Sequence, residues 1–140
     1  MDQCRPWGGF YAINETHARE FCSAFFPELV FQEEQINGSI SPKILIVEPH
    51  KKLSWQYHHR RSELWRSMGG DVGVVTSDTD EQNDPVILKE QEVLQLAQGE
   101  RHRLIGLETW GVVAEIWQHT DPAVPSDEDD IVRLEDDFGR

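Results

Sequence analysis

Potential metal-binding side chains are concentrated in one short stretch of the chain. Residues 53–65 read LSWQYHHRRSELW, which places amide, imidazole, guanidinium and carboxylate groups between apolar residues. On a strand, Gln56 and His58 project to the same face. Glu63 lies five positions beyond His58, so a turn at HRRS is needed to return it to that side. His102 begins a later strand-like run, RHRLIG.

These side chains share a donor chemistry. Amide oxygen, neutral imidazole and carboxylate are donors suited to Zn²⁺, Mn²⁺ or Fe²⁺. A metal would also explain why they gather, because a buried charge is costly unless it is paired or coordinated. We therefore predict that Gln56, His58, Glu63 and His102 bind one divalent ion. The alternative is a hydrogen-bonded polar cluster in the core.

The elements that must position these donors are mostly short strands. Apolar and β-branched runs between turn-forming residues predict strands at KILIVE, ELWRSM, DVGVVTS, EVLQLA, RHRLIG and GVVAEIWQ. Many short strands at close spacing favour an antiparallel sandwich or barrel. The segment ETHAREFCSAFF instead repeats Ala18, Phe21, Cys22 and Phe25 at helical spacing after Asn14, a good N-cap. It predicts one short amphipathic helix.

Length and composition favour one domain. A chain of 140 residues that is 38% hydrophobic can bury a substantial core. We expect residues 1–42 to form an N-terminal strand and a helix-like insert that packs on a barrel. Residues 43–120 would form the barrel, and residues 121–140 an acidic tail that docks on it.

The charge balance restricts the partners. The chain has 13 basic and 26 acidic residues, a net charge of −13, which disfavours nucleic acid and anionic membranes because the field repels phosphates. Apolar runs fall short of the roughly 20 residues that a membrane helix needs, and the start lacks a signal-peptide pattern. Two cysteines, Cys4 and Cys22, do not suggest a disulfide framework. We expect a cytoplasmic protein.

Basic residues nevertheless gather near the predicted ligands, in two windows at 51–66 and 101–103. A locally basic site on an acidic body can hold a small anion. The alternative is that these residues pair with surface acids, which contributes little stability.

The spacing of the predicted ligands resembles the two motifs of the cupin superfamily. Residues 50–70 read H-x5-Q-x-H-x4-E-x6-G, similar to G-x5-H-x-H-x3-4-E-x6-G. Residues 99–102 read G-x2-H, similar to part of G-x5-P-x-G-x2-H-x3-N. Gln56 occupies the first histidine position, and Ala97 occupies the proline position.

A more specific resemblance is to the cupin domain at the C-terminus of bifunctional mannose-6-phosphate isomerase/mannose-1-phosphate guanylyltransferases. RPWG, LSWQYHHRRSELW, GERHRL and EDDIVRLEDDFGR occur in the family's order, against its LSLQ-x-HHHRAEHW and EDDIVR-x-x-DDYGR. The resemblance spans nearly the whole chain except the insert around residues 15–39. Two departures are Leu64, where the family has histidine, and Arg60, where it has the third histidine of its run. A Gly-rich nucleotidyltransferase segment does not occur in the sequence, so we do not expect nucleotide transfer.

The resemblance implies an all-β, cupin-type double-stranded β-helix (jelly-roll barrel) with one short N-terminal helix. It implies that Gln56, His58, Glu63 and His102 bind the ion, Zn, Mn or Fe. It further implies an aldose–ketose isomerase of mannose 6-phosphate or another hexose or heptose phosphate, in carbohydrate or polysaccharide precursor metabolism. Arg61 matches the arginine of HHHRAEHW and would hold the phosphate or the developing oxyanion.

Isomerisation also needs a base that moves a proton between two carbons. The candidates are His59, Glu115 in VVAEIW, and His119. The expected partner is a phosphorylated sugar, and edge strands of a small barrel can pair to form a homodimer. Two other classes remain open: a non-catalytic metal- or sugar-binding cupin, and a cupin epimerase of nucleotide sugars.

Overall fold

The computed structural model describes residues 2–5, 7–28, 40–121, 123–127 and 129–135, the first of these segments by its backbone alone. Parts of the predicted insert and of the predicted acidic tail, including its last five residues, lie outside the described residues.

Strands dominate the described part of the chain. They are β1 (Asp2–Arg5), β2 (Gly8–Ala12), β3 (Ile40–Val47), β4 (Trp55–Tyr57), β5 (Arg61–Gly69), β6 (Val72–Ser77), β7 (Val86–Leu88), β8 (Val93–Leu96), β9 (Arg101–Ile105), β10 (Gly111–His119) and β11 (Val132–Glu135). A 3-10 turn, Glu15–His17, leads into one helix, α1 (Ala18–Phe25).

The strands form two antiparallel sheets. The first has the order β1-β2-β3-β10-β5-β8, and the second has the order β11-β4-β9-β6-β7. Several neighbours are distant in sequence, such as β3 beside β10 and β4 beside β11. Two facing sheets with such crossovers are typical of a jelly roll. The predicted all-β cupin-type fold with one short helix is confirmed.

Asn14 caps the 3-10 turn that leads into α1, so the α-helix itself begins one turn later than the predicted N-cap suggests. Asn14 Oδ1 accepts a hydrogen bond of 2.9 Å from the Thr16 amide, which satisfies one of the unpaired donors of the first turn. The apolar side of the helix packs on the outer face of the first sheet, in a cluster of Ala18, Phe21, Cys22, Phe26, Ile40, Leu64, Ala114 and Ile116. Among the described residues, no helix combines the length and the apolar character needed to cross a membrane.

The main core lies between the two sheets. Apolar side chains of both sheets interdigitate there, among them Leu45 and Val113 of the first sheet and Val74 and Leu104 of the second. Strand alternation sends every second residue of β3, β5 and β10 into this interior. Polar residues at those inward positions therefore have to be explained by pairing or by function.

Candidate active site

His58, Glu63 and His102 meet inside the barrel, where all three side chains are buried. His102 Nε2 lies 3.0 Å from Glu63 Oε2 and 3.3 Å from His58 Nε2, and His58 Nε2 lies 3.8 Å from Glu63 Oε2. His58 directly follows β4, and His102 lies on the neighbouring strand β9. After His58 the chain crosses from the second sheet to the first, so Glu63 approaches from the opposite wall.

Hydrogen bonds fix the orientation of both imidazoles. His58 Nδ1 donates to the Asp130 carbonyl at 2.7 Å, and His102 Nδ1 donates to the Glu100 carbonyl at 3.0 Å. A carbonyl oxygen only accepts, so Nδ1 carries the proton and Nε2 of each neutral ring presents a lone pair. This pattern is how proteins orient histidine ligands of a metal.

The cluster fits a divalent ion. Bonds of about 2.0 to 2.2 Å at angles of roughly 90 to 110° place ligand atoms about 2.8 to 3.6 Å apart. The observed separations of 3.0, 3.3 and 3.8 Å are close to that range. Glu63 Oε2 is buried and accepts no hydrogen bond of good geometry from the described residues. A cation shared by Glu63, His58 and His102 would satisfy this oxygen and both lone pairs.

The pKa shifts of His58 and Glu63 agree with these roles, whereas the shift of His102 favours its charged form beside Glu63. Burial lowers the pKa of His58 to about 4, against the attraction of Glu63, so the imidazole is neutral near pH 7. Burial opposes the charge of Glu63, yet nearby His102 and Arg61 hold the pKa of that carboxyl below its ordinary value. Burial also acts on His102, but its interactions with Glu63 raise the pKa of this imidazole.

Gln56, the fourth predicted ligand, lies beside the cluster. It is opposite His102 in the register of β4 and β9, and its side chain lines the cavity described below. Its Oε1 accepts a hydrogen bond of 2.6 Å from Ser54 Oγ. An amide oxygen has a second lone pair, so this contact is compatible with ligation.

A cavity adjoins the cluster and shares Glu63 with it. Its empty volume is about 610 Å³, a figure that includes open solvent at its mouth. Its aromatic walls are Trp7, Phe10, Trp65 and Trp117. Its polar lining consists of Lys43, Gln56, Arg61, Glu63, Glu115 and Arg133.

The register of the first sheet brings these residues together. Lys43 of β3 pairs with Glu115 of β10, which pairs with Trp65 of β5. Two positions further along β10, in the next row that faces inward, Trp117 pairs with Glu63. Side chains at paired positions on neighbouring strands share one face and lie close together. Two adjacent inward-facing rows therefore supply half of the polar and aromatic wall.

Arg61 lies at the junction of cluster and cavity. Its guanidinium stacks on Trp117, with 3.5 Å between Cζ and the ring centroid. Its Nε lies 3.4 Å from Glu63 Oε1, and its Nη2 donates to His58 Nε2 at 3.2 Å. A buried cation in these contacts is oriented before any ligand arrives.

Glu115 presents a buried carboxylate on the cavity wall. Its two oxygens accept hydrogen bonds from the indole N–H groups of Trp65 at 2.7 Å and Trp117 at 2.8 Å. Burial and the neighbouring charge of Glu63 raise the pKa of Glu115 to about 7, against the influence of Lys43. The two indole donors hold the carboxyl group in one orientation, and near pH 7 neither of its protonation states is strongly favoured.

The structure does not bring the other two base candidates to the cavity. His59 is exposed, and its ring contacts the edge of Tyr57 at 5.3 Å between centroids. It adjoins His58 in sequence, so alternation directs it outward. His119 is buried, with Nε2 2.7 Å from Ser41 Oγ and with Nδ1 accepting the Ser126 amide at 2.9 Å.

A family model described as "Mannose-6-phosphate isomerase C-terminal" matches residues 14–136. The chain belongs to this family. The predicted resemblance is thereby confirmed. A curated relative, the alginate biosynthesis protein AlgA of Pseudomonas aeruginosa, is 27% identical over 129 residues. The match covers 92% of this chain and 25% of AlgA, so the chain spans a quarter of that relative's length.

Solved structures show the same fold at low identity. Recombinant oxalate oxidase in complex with glycolate aligns with a TM-score of 0.63 and 14% identity, covering 96% of this chain and 59% of the oxidase. The DMSP lyase DddQ from Ruegeria pomeroyi aligns with a TM-score of 0.52 and 12% identity, covering 67% of this chain and 45% of the lyase. At these identities the likeness establishes the cupin fold of the mannose-6-phosphate isomerase C-terminal domain and nothing about its reaction.

The two departures from the family motif lie away from the cavity. Leu64 packs beneath the helix on the outer face of the first sheet, because Glu63 and Trp65 on either side of it point inward. The Arg60 side chain is 38% exposed and lies 3.3 Å from Asp127. Neither Leu64 nor Arg60 lines the cavity.

Sequence reasoning did not assign two cationic residues to the site. Lys43 interrupts the apolar run KILIVE and is buried, so a charge at an inward strand position was the available signal. Arg133 lies in the acidic tail, where surface pairing is the ordinary expectation. Pairing of β11 with β4 places Arg133 opposite Gln56 and on the cavity wall.

Proposed function

We propose that this chain is a metal-dependent sugar-phosphate isomerase that interconverts an aldose phosphate and the corresponding ketose phosphate, as in mannose 6-phosphate isomerisation. The observation that carries the proposal is the position of Glu63, which belongs both to the metal-binding cluster and to the cavity wall. An ion at the cluster would therefore face a ligand in the cavity.

The cluster supplies the protein side of a metal centre. His58, Glu63 and His102 would hold the ion, with Gln56 as the fourth ligand. A divalent ion held there would supply Lewis-acid polarisation of the substrate carbonyl. The neutral imidazole of His58 and the ionised carboxylate of Glu63 support this assignment, because ligands bind metal in those states. The donor set suits Zn, Mn or Fe.

Glu115 would carry the proton. In the aldose-to-ketose direction its carboxylate accepts the proton from C2 and returns it to C1. The hydroxyl proton of O2 passes to O1, so the product is an isomer and no second substrate is consumed. The indole donors of Trp65 and Trp117 hold the carboxylate in one orientation, which lowers the entropy lost in reaching the reactive geometry.

Three cationic side chains on the wall would hold the phosphate. Lys43, Arg61 and Arg133 line the cavity of a protein whose net charge is −13. Arg61 is already fixed by its stacking on Trp117. If His58 Nε2 served as a metal ligand it would not also accept from Arg61, so that N–H of Arg61 would be available to an anion.

Replacement of Arg61 tests the anion contact. Arg61→Ala is expected to lower kcat/KM by roughly 100-fold, the effect of losing a charged hydrogen bond of about 2 to 3 kcal/mol. Arg61→Lys should recover only part of that loss, because an ammonium cannot reproduce the planar fork. Arg60→Ala removes a neighbouring, partly exposed cation and should change kcat/KM little. Full activity in Arg61→Lys would contradict bidentate recognition by this residue.

The function itself is tested with protein purified without chelator and then loaded with zinc, manganese or iron. Mannose, fructose, glucose and heptose phosphates are supplied, and interconversion is followed by chromatography or NMR. We expect turnover of at least one aldose phosphate by the loaded protein and none by the chelated protein. Absence of both binding and turnover would overturn the proposal. Binding without turnover would assign the chain to the non-catalytic class instead.

A further inference from the structure

Three residues between β10 and β11 contact residues 58–61, which form the loop after β4 and the first position of β5. They are Ser126, Asp127 and Asp130, here called the clasp. Ser126 and Asp130 are buried, with exposures of 6% and 4%. The Ser126 amide also donates to His119 Nδ1 at 2.9 Å, which anchors the clasp to the end of β10.

Asp130 contacts the His58 loop through both its side chain and its backbone. Its Oδ1 accepts the His59 amide at 3.0 Å, and its Oδ2 accepts the Arg60 amide at 3.0 Å and Ser126 Oγ at 2.6 Å. Its carbonyl oxygen accepts His58 Nδ1–H at 2.7 Å. One residue thus fixes the backbone of the loop and the ring that the loop carries.

The clasp also restrains Arg61. The Nη1 of Arg61 donates to Ser126 Oγ at 3.0 Å and to the Asp127 carbonyl at 3.2 Å. The same guanidinium contacts His58 and Glu63 through its other nitrogens. A displacement of the clasp would therefore move Arg61, which contacts the cluster and lines the cavity.

We propose that Asp130 is a positioning residue of the metal centre, which holds His58 as the Nδ1–H tautomer with Nε2 directed at Glu63 and, through Ser126, holds Arg61 beside it. The inference rests on the metal binding in the proposed function and adds a role for a segment outside the ligand set. A carboxylate that accepts three donors holds its partners strongly. Loss of this side chain would release the loop, and partners of this kind typically change metal affinity by 10- to 100-fold.

Zinc affinity provides the first test. It is measured on the full chain by competition with a chromophoric chelator, for wild type, Asp130→Ala and Ser126→Ala. We expect affinity to fall 10- to 100-fold in Asp130→Ala and by a smaller factor in Ser126→Ala. Asp129→Ala removes an exposed carboxylate one position away and should bind zinc like wild type.

The tautomer of His58 provides the second test and separates positioning from a merely structural role. Long-range ¹⁵N–¹H NMR of the chelated protein at pH 7.5 should show His58 as the Nδ1–H form in wild type. The ring should become a tautomer mixture in Asp130→Ala. Near-UV circular dichroism verifies that each variant is folded.

Folded Asp130→Ala with wild-type zinc affinity and an unchanged His58 tautomer would overturn the inference. If Asp130→Ala does not fold, Ser126→Ala provides the test. Wild-type zinc affinity together with an unchanged His58 tautomer in Ser126→Ala would also overturn the inference. If wild-type protein binds no zinc, the metal-dependent function fails. The tautomer comparison then still decides whether Asp130 positions His58.

Discussion

Glu63→Gln is expected to abolish stoichiometric zinc binding and, with it, sugar-phosphate isomerisation. The substitution removes the anion of the cluster and leaves His102 and Arg61 without their buried partner. Breaking a buried ion pair in this way costs about 3 to 5 kcal/mol of stability. Metal content, calorimetric zinc affinity and thermal unfolding with and without the ion measure these effects together. Because an ion bound to the folded state raises Tm with its concentration, the variant should lose that dependence.

The matched control is Glu81→Gln, which makes the same chemical change at an exposed position. It should keep wild-type affinity and stability. His102→Ala should behave like Glu63→Gln and lose the ion-dependent rise in Tm. Wild-type zinc affinity in Glu63→Gln would mean that the cluster is a hydrogen-bonded polar core and not a metal centre.

Glu115→Gln is expected to reduce kcat by roughly 100- to 10,000-fold, the range for removal of a general base. Zinc affinity should change by no more than a few-fold, because Glu115 is not among the proposed ligands. The amide also turns one N–H group toward an indole donor, so stability should fall by about 1 to 3 kcal/mol. Steady-state kinetics at saturating metal and thermal unfolding separate the two effects.

Trp65→Phe is the control for that experiment. It removes one indole donor and leaves the carboxylate in place, so kcat should stay within about tenfold of wild type. If Glu115→Gln turns over at the wild-type rate, Glu115 is not the proton carrier.

The local sequence pattern was sufficient to predict the two long strands of the cavity wall. The segments ELWRSM and GVVAEIWQ lie in the long strands β5 and β10. Their period-two alternation predicts which side chains face inward. The joint spacing of His58, Glu63 and His102 then predicts that they converge, and the structure does bring them together. Asn14 likewise marks the start of the helical segment through a contact only two residues long.

Elements whose existence depends on a distant partner were harder to predict. The strand Val86–Leu88 has three residues, two of them exposed, so its alternation carries little information. The strand Val132–Glu135 is polar and mostly exposed, and pairing with β4 determines its conformation. The wall position of Arg133 follows from that pairing alone, and a tertiary register of this kind is not encoded in local periodicity.

The clasp bears on when, relative to folding, the proposed metal ion would be bound. The hydrogen bond from His58 to Asp130 joins residues that are 72 positions apart in the sequence. The two histidines of the cluster, His58 and His102, are 44 positions apart in the sequence. Contacts of such long range form late and slowly in folding, because the chain entropy of closing large loops has to be overcome first. A nascent or partly folded chain would hold these ligands apart and compete poorly for scarce ions. Metal capture would therefore follow folding, and occupancy would be set by the metal available to the finished protein.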